Sequence, residues 1–297
     1  MPLVETPTLI SVKNVLVATD FSEYSQTALA VAANLARRHK AKLWLTHVVP
    51  TQPKLAIPIE AVPACLDAEW TAAEKDMASL GLSSLLQGVS YELLLERGKL
   101  WPALADIIAE HEVDLVVLAT HGRGGISKLL LGSVAEEIVR LAPRPVLTVG
   151  PESFAKVVPQ ETLEQILYAT DFRPGSLAAA AWALSLAQEN HAHLTLLHVL
   201  EVRDDAANHA QPLREQTIRR LMDLLPPEVR LDGAPEFLVE CGVPADVILQ
   251  VAAEKKADLI VMGARQSRHS FALSHLAWAM THRVLARARC PVLTVRG

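Results

Sequence analysis

The chain says nearly the same thing twice. Val15-Leu-Val-Ala-Thr-Asp20-Phe21 returns as Ile166-Leu-Tyr-Ala-Thr-Asp171-Phe172, and Leu45-Thr-His47-Val48 returns as Leu196-Leu-His198-Val199. Asp114-Leu-Val-Val-Leu-Ala119 returns as Asp258-Leu-Ile-Val-Met-Gly263, and Pro145-Val-Leu-Thr-Val149 as Pro291-Val-Leu-Thr-Val295. The offsets are 151 residues for the first two pairs, 144 for the third and 146 for the last. Matches in one order at nearly one spacing mark a duplicated domain. The chain of 297 residues suits two domains, and either half is large enough to bury its own core. The sequence divides into a first domain at 1–150, a linker at 151–159 and a second domain at 160–297.

Within each half, short β-branched runs alternate with stretches of helical periodicity. In the first half, strands are expected at 14–19, 43–49, 90–96, 115–120 and 145–149. Helices are expected from Ser22, as N-cap, to Lys40, then over 65–87, 101–112 and 132–142. The second half repeats this order from about Gln165. Hydrophobic residues make up 51% but aromatics only 4%, the aliphatic filling of parallel sheets. Strict alternation implies an α/β fold with right-handed crossovers. Ligands in such sheets bind beyond the carboxyl ends of the strands, where the strand order reverses.

Net charge is −5 and there is no basic block, which disfavours nucleic acid and anionic membranes as partners. Cys65, Cys241 and Cys290 match no zinc or disulfide spacing and suit a reducing compartment. Neither a signal-peptide pattern nor a membrane-spanning apolar run is evident, so a cytoplasmic protein is expected.

The sharpest chemical signal lies after the fourth strand: Ala119-Thr-His121-Gly122-Arg123-Gly124-Gly125, then Ser127-Lys128, then Gly132-Ser133-Val134. Glycines let backbone approach a ligand, and Gly132-Ser133 falls at an expected helix N-terminus, which favours an anion. The alternative is a flexible loop ending in an ordinary cap, with Ser133 as the capping hydroxyl. Arg123 and Lys128 either neutralise phosphate or sit in solvent. His121 either touches the ligand or packs. The segment is neither a Walker-A loop nor a dinucleotide fingerprint. Asp20 and Asp171 follow the first strand of each copy, but neither has a second carboxylate at catalytic or metal-ligating spacing.

With these residues in view, the chain resembles the universal stress protein family in its tandem, two-domain form. The nucleotide-binding members carry G-x2-G-x9-G-S/T after strand 4; this chain reads Ala119-x2-Gly122-x9-Gly132-Ser133, with alanine for the first glycine. The resemblance implies two Rossmann-like domains of the adenine nucleotide alpha hydrolase-like type. Each would be a five-stranded parallel sheet in the order 3-2-1-4-5. It also implies an adenine nucleotide, ATP or else ADP or AMP, with or without Mg. Asp20 would face the ribose, the Val48 backbone the adenine, and the segment from Gly122 to Ser133 the phosphates. Ala18, Ala119, His121, Arg123, Gly125 and Val134 complete the implied contacts. In the family two domains meet through their last strands, so the copies are expected to pair within one chain, with a further homodimer left open.

The second copy departs from the motif. Gly263 matches its first position, Gln266 stands at the second glycine, and alignment back from Pro291 puts Trp278 and Ala279 at the last glycine and serine. The expectation is therefore one nucleotide per chain, in the first domain, and a regulatory role by binding, with no dedicated catalytic residue. The rival readings are a nucleotide-free dimerisation protein and a slow ATPase.

Overall fold

The computed structural model describes residues 10–52, 58–122, 131–153, 162–201, 210–264 and 271–297. The first repeat runs β1 (Asn14–Ala18), α1 (Glu23–His39), β2 (Lys42–Val49), α2 (Val62–Gly81), β3 (Ser90–Arg97), α3 (Leu100–Glu110), β4 (Leu115–Ala119), α4 (Ser133–Leu141) and β5 (Val146–Val149). The second runs β6 (Gln165–Ala169), α5 (Pro174–Asn190), β7 (His193–Leu200), α6 (Ala210–Met222), β8 (Glu236–Cys241), α7 (Pro244–Glu254), β9 (Leu259–Ala264), α8 (Phe271–Arg287) and β10 (Val292–Arg296). The strand order is β3-β2-β1-β4-β5 in the first repeat and β8-β7-β6-β9-β10 in the second, the expected order in both. β1 lies parallel between β2 and β4, with Val17 opposite Leu45 on one side and Val117 on the other. β6 lies parallel between β7 and β9 in the same way.

The backbone packs as two compact units. One is built on Ser11–Ile126 and Gly132–Val146, the other on Leu147–Gly297 joined by Ile10. In the first, Val15, Leu16, Val17, Val116 and Val117 are wholly buried, as strands covered on both faces require. In the second, Leu167, Ile260 and Val261 take that place.

Local chemistry explains why the same elements form twice. Ser22 caps α1 by accepting the Ser25 amide at 3.2 Å. Arg37, Arg38 and His39 fill its last turn, complementing the helix dipole, before Lys40 turns left-handed with φ 54°. α5 also ends on a left-handed residue, His191, with φ 55°. The Asp114 carboxylate accepts the amides of Lys13 and Asn14 at 2.7 and 3.0 Å, fixing the start of β1 beside β4. Asp258 does the same for Glu164 and Gln165, both at 2.9 Å. The helix expected at 65–87 ends at Gly81; a separate 3-10 turn, Ser84–Leu86, follows under a Ser83 cap. Its start lies earlier than expected, at Val62, because Pro63 is tolerated in a first turn.

Candidate functional site

The strand order of the first repeat reverses between β1 and β4, and the segments leaving these strands meet there. Thr19 to Ser22 leave β1 in a tight turn. Phe21 adopts φ 64°, unusual for a bulky side chain, and its amide donates to Thr19 Oγ1 at 3.0 Å. The Asp20 carboxylate closes the same turn, its Oδ1 accepting Ser22 N at 3.1 Å and Ser22 Oγ at 2.6 Å. Its Oδ2 points across to the segment after β4: a Cβ at Gly122 would lie 2.5 Å from it. Only a glycine at 122 leaves that carboxylate where it is. The third element is the start of α4. Gly132 N donates to the Thr120 carbonyl at 2.8 Å, and a Cβ at Gly132 would sit 3.0 Å from that same oxygen. Gly132 is the N-cap, with no side-chain capping bond, and Ser133 is the first helical residue, exposed. Gly132, not Ser133, is therefore the cap residue of α4. The amides of Ser133, Val134 and Ala135 open the helix without acceptors inside it.

His121 lies at this junction. Its Nδ1 is 2.9 Å from Thr120 Oγ1, and its ring is tilted against Tyr24 at 5.8 Å between centroids. Ala18 ends β1 opposite Thr46, and Val48 sits near the end of β2 opposite Glu96, 8% exposed. Ala119 is the last residue of β4 and is half-buried. The structure thus brings Asp20, Ala119, His121, Gly122, Gly132 and Ser133 to one end of β1 and β4. Val48 stands one strand further out. Arg123 and Gly125, with Gly124, Ser127 and Lys128, lie outside the described residues. Tyr24 and Thr120 belong to the junction but carry no motif. Tyr24 was visible only by laying the copies side by side, where Gly175 stands opposite it. Among the described residues no cluster of His, Cys, Asp or Glu could hold a metal ion, and no helix is long and apolar enough to cross a membrane.

The second repeat keeps the floor of this site. The His47 ring donates from Nδ1 to the Thr19 carbonyl at 2.7 Å and tilts against Phe21 at 4.4 Å. His198 does the same toward Thr170, at 2.8 Å, and Phe172, at 4.8 Å. The histidines therefore brace the turn after the first strand. Asp171 Oδ1 accepts Arg173 N at 3.1 Å and Ser176 Oγ at 2.7 Å. Burial pulls the His198 ring below its ordinary pKa; the bond to Thr170 opposes this and the Arg220 charge reinforces it. The Arg220 guanidinium lies 3.9 Å above the Phe172 ring.

The roof differs. Trp278 does not stand at a helix N-terminus as Gly132 does. α8 begins at Phe271, so Trp278 lies nearly two turns inside it, its ring 6.4 Å from that of His282. At the start of α5, a Cβ on Gly263 would lie 2.6 Å from the Gly175 carbonyl carbon and from Ser176 Cα. A Cβ on Gly175 would lie 2.9 Å from the Ala264 carbonyl, and one on Gly297 2.6 Å from Gly175 N. The buried Tyr168 hydroxyl adds a bond to the Ser176 carbonyl at 2.6 Å.

Comparison with known proteins fits this duplicated architecture. The universal stress protein family model matches twice, at residues 11–150 and 162–296. A universal stress protein of Mycolicibacterium smegmatis is 27% identical over 300 residues, covering 95% of this chain and 96% of its own. The crystal structure of a universal stress protein from Archaeoglobus fulgidus superposes with a TM-score of 0.66 at 20% identity, covering 95% of this chain and 96% of that one, a likeness of fold. A shorter universal stress protein solved in complex with cAMP shares 24% identity over 48% of this chain and 98% of its own, at a TM-score of 0.34. By both repeats, the chain belongs to the universal stress protein family.

Proposed function

We propose that the first domain, residues 1–150, binds one adenine nucleotide and that the chain acts through binding rather than turnover, as a stress-response regulator in the cytoplasm. The observation that carries this reading is the convergence of Asp20, Gly122 and the Gly132 N-cap at the end of β1 and β4. A ribose hydroxyl would donate to the Asp20 carboxylate. Phosphates would take the amides opening α4, where the helix dipole favours negative charge. The Val48 backbone would face the adenine. Arg123 and Gly125 would complete the phosphate loop, and Mg would travel with the phosphates. The second domain, residues 160–297, keeps Asp171 and His198 without the glycine loop and serves as a structural partner. Two repeats of one family within one chain suit a pseudo-dimer, and its pairing through β5 and β10 is part of this proposal.

Titration calorimetry of the full chain with ATP is the test. One site per chain is expected; two equivalent sites, or none, would refute the reading. Native mass spectrometry of the purified protein separates the rivals: retained ATP supports binding, retained ADP supports slow hydrolysis, and an empty chain favours a nucleotide-free interaction protein.

A further inference from the structure

Each repeat carries a second crossover helix, α2 between β2 and β3 and α6 between β7 and β8, beside the strand that ends its order. Both helices are thinly covered. α1, of 17 residues, buries eight of them, whereas α2, of 20 residues, buries only Ala73 and Met77. Among the described side chains of α6 only Thr217 and Leu221 are buried. Large apolar residues stand in solvent at both corners. Ile59 and Leu82, before and after α2, are 80% and 90% exposed. Tyr91, whose hydroxyl donates to the Gly81 carbonyl at 2.8 Å, is exposed next to Leu82. Leu213 and Met222 are exposed near the two ends of α6. Single exposed apolar residues are ordinary, so charge decides what these corners are for. α2 carries Asp67, Glu69, Glu74 and Asp76 against Lys75, a net −3. α6 carries Arg214, Arg219 and Arg220 against Glu215, a net +2. The same element of a duplicated fold has thus taken opposite signs. Asp67 pairs with Arg97 at 3.4 Å, and Arg220 lies on the Phe172 ring. Glu74 and Asp76 on α2, and Arg214 and Arg219 on α6, are exposed.

We propose that the acidic α2 corner of one chain docks on the basic α6 corner of a second copy of the chain. Two α2 corners repel each other, and so do two α6 corners; only the unlike pair attracts. The contact is therefore heterologous, each chain offering a different patch from its partner. A pair of chains keeps one corner of each sign, so association runs past two chains unless the arrangement closes on itself. Leu82 and Tyr91 on one side, with Leu213 and Met222 on the other, lose water at the same step and supply the apolar part. The area is small. α6, with 13 residues, is about 20 Å long and about 10 Å across, which puts the contact below about 1,200 Å², the size of transient encounters. Its charges are exposed, so salt screens them.

The experiment is sedimentation velocity of the full chain at high protein concentration. It is run at about 0.01 M salt, where the screening length is about 30 Å, and at about 1 M, where it is about 3 Å. The wild type is expected to self-associate at low salt and to run as a single chain at high salt. Glu74→Lys with Asp76→Lys turns α2 to a net +1, and Arg214→Glu with Arg219→Glu turns α6 to a net −2. Each double variant alone should run as a single chain at low salt. An equimolar mixture of the two should associate again, because each chain then meets a corner of opposite sign. Restoration by mixing is something that misfolded variants could not produce, and melting temperatures near that of wild type confirm the folds. Should a double variant fold poorly, Asp76→Lys or Arg219→Glu alone should weaken association in the same direction. A wild type that runs as a single chain at both salt concentrations would overturn the proposal. So would association that neither salt nor charge reversal changes, or a mixture of folded variants that stays dissociated.

Discussion

Substituting Gly132 with alanine isolates one contact of the candidate site. Gly132 has φ −62° and ψ 142°, a conformation any residue adopts, so backbone strain plays no part. The constraint is space: the new Cβ would stand 3.0 Å from the Thr120 carbonyl oxygen, a buried backbone atom that cannot swing aside. The same oxygen accepts Gly132 N at 2.8 Å, so relief of the clash lengthens a hydrogen bond. Overpacking costs about 1–3 kcal/mol and a weakened hydrogen bond about 1 kcal/mol, so about 2 kcal/mol of destabilisation is expected. In a unit of this size that is a fall of about 4–8 °C in melting temperature. Moving α4 outward also draws the amides that open it away from the proposed phosphate position, and ATP affinity should fall about tenfold. Gly233→Ala is the control, since a Cβ there meets nothing within 4 Å. Thermal unfolding and calorimetry of both variants check this. A Gly132→Ala protein that melts with wild type and binds ATP as tightly would refute the packing argument.

Ser133→Ala should weaken ATP binding by about 1–2 kcal/mol while leaving the melting temperature unchanged, because the exposed hydroxyl makes no cap; a drop in stability without loss of affinity would contradict this. Because folding lowers the His198 pKa from 6.5, the unfolded ring takes up its proton before the folded one. Its contribution to stability is present above pH 6.5 and is lost as the pH falls toward the lower folded value. His198→Asn should therefore show a shallower decline in melting temperature than wild type between pH 7 and pH 5, and parallel pH profiles would refute it. Expressed alone, residues 1–152 should self-associate through the uncovered β5 edge, and Thr148→Pro should reduce that association because proline removes a ladder donor; sedimentation showing a stable monomer at high concentration would speak against the pairing.

Much of this architecture is local and was therefore readable in order along the chain. The β-branched runs at 14–18 and 165–169, the Ser22 cap and the helical spacing of α1 depend on residues within a few positions of one another, and backbone geometry enforces those rules anywhere. Duplication made them legible twice, and the glycine spacing from Gly122 to Gly132 singled out one end of the sheet. What the tertiary structure alone decided is which backbones touch. Asp20 and Gly122 lie more than a hundred positions apart, and the contact between them depends on how far apart β1 and β4 hold their following turns. The sequence places Trp278 at the position that Gly132 holds in the first repeat, and the fold places it inside a helix. α8 starts too early for Trp278 to stand at its N-terminus, and α5 lies on β9 through paired glycines. A glycine in a sequence states only that a Cβ is missing. Whether the vacated space admits a phosphate or a neighbouring helix depends on packing distances of an ångström, and those are set only when all the layers are assembled.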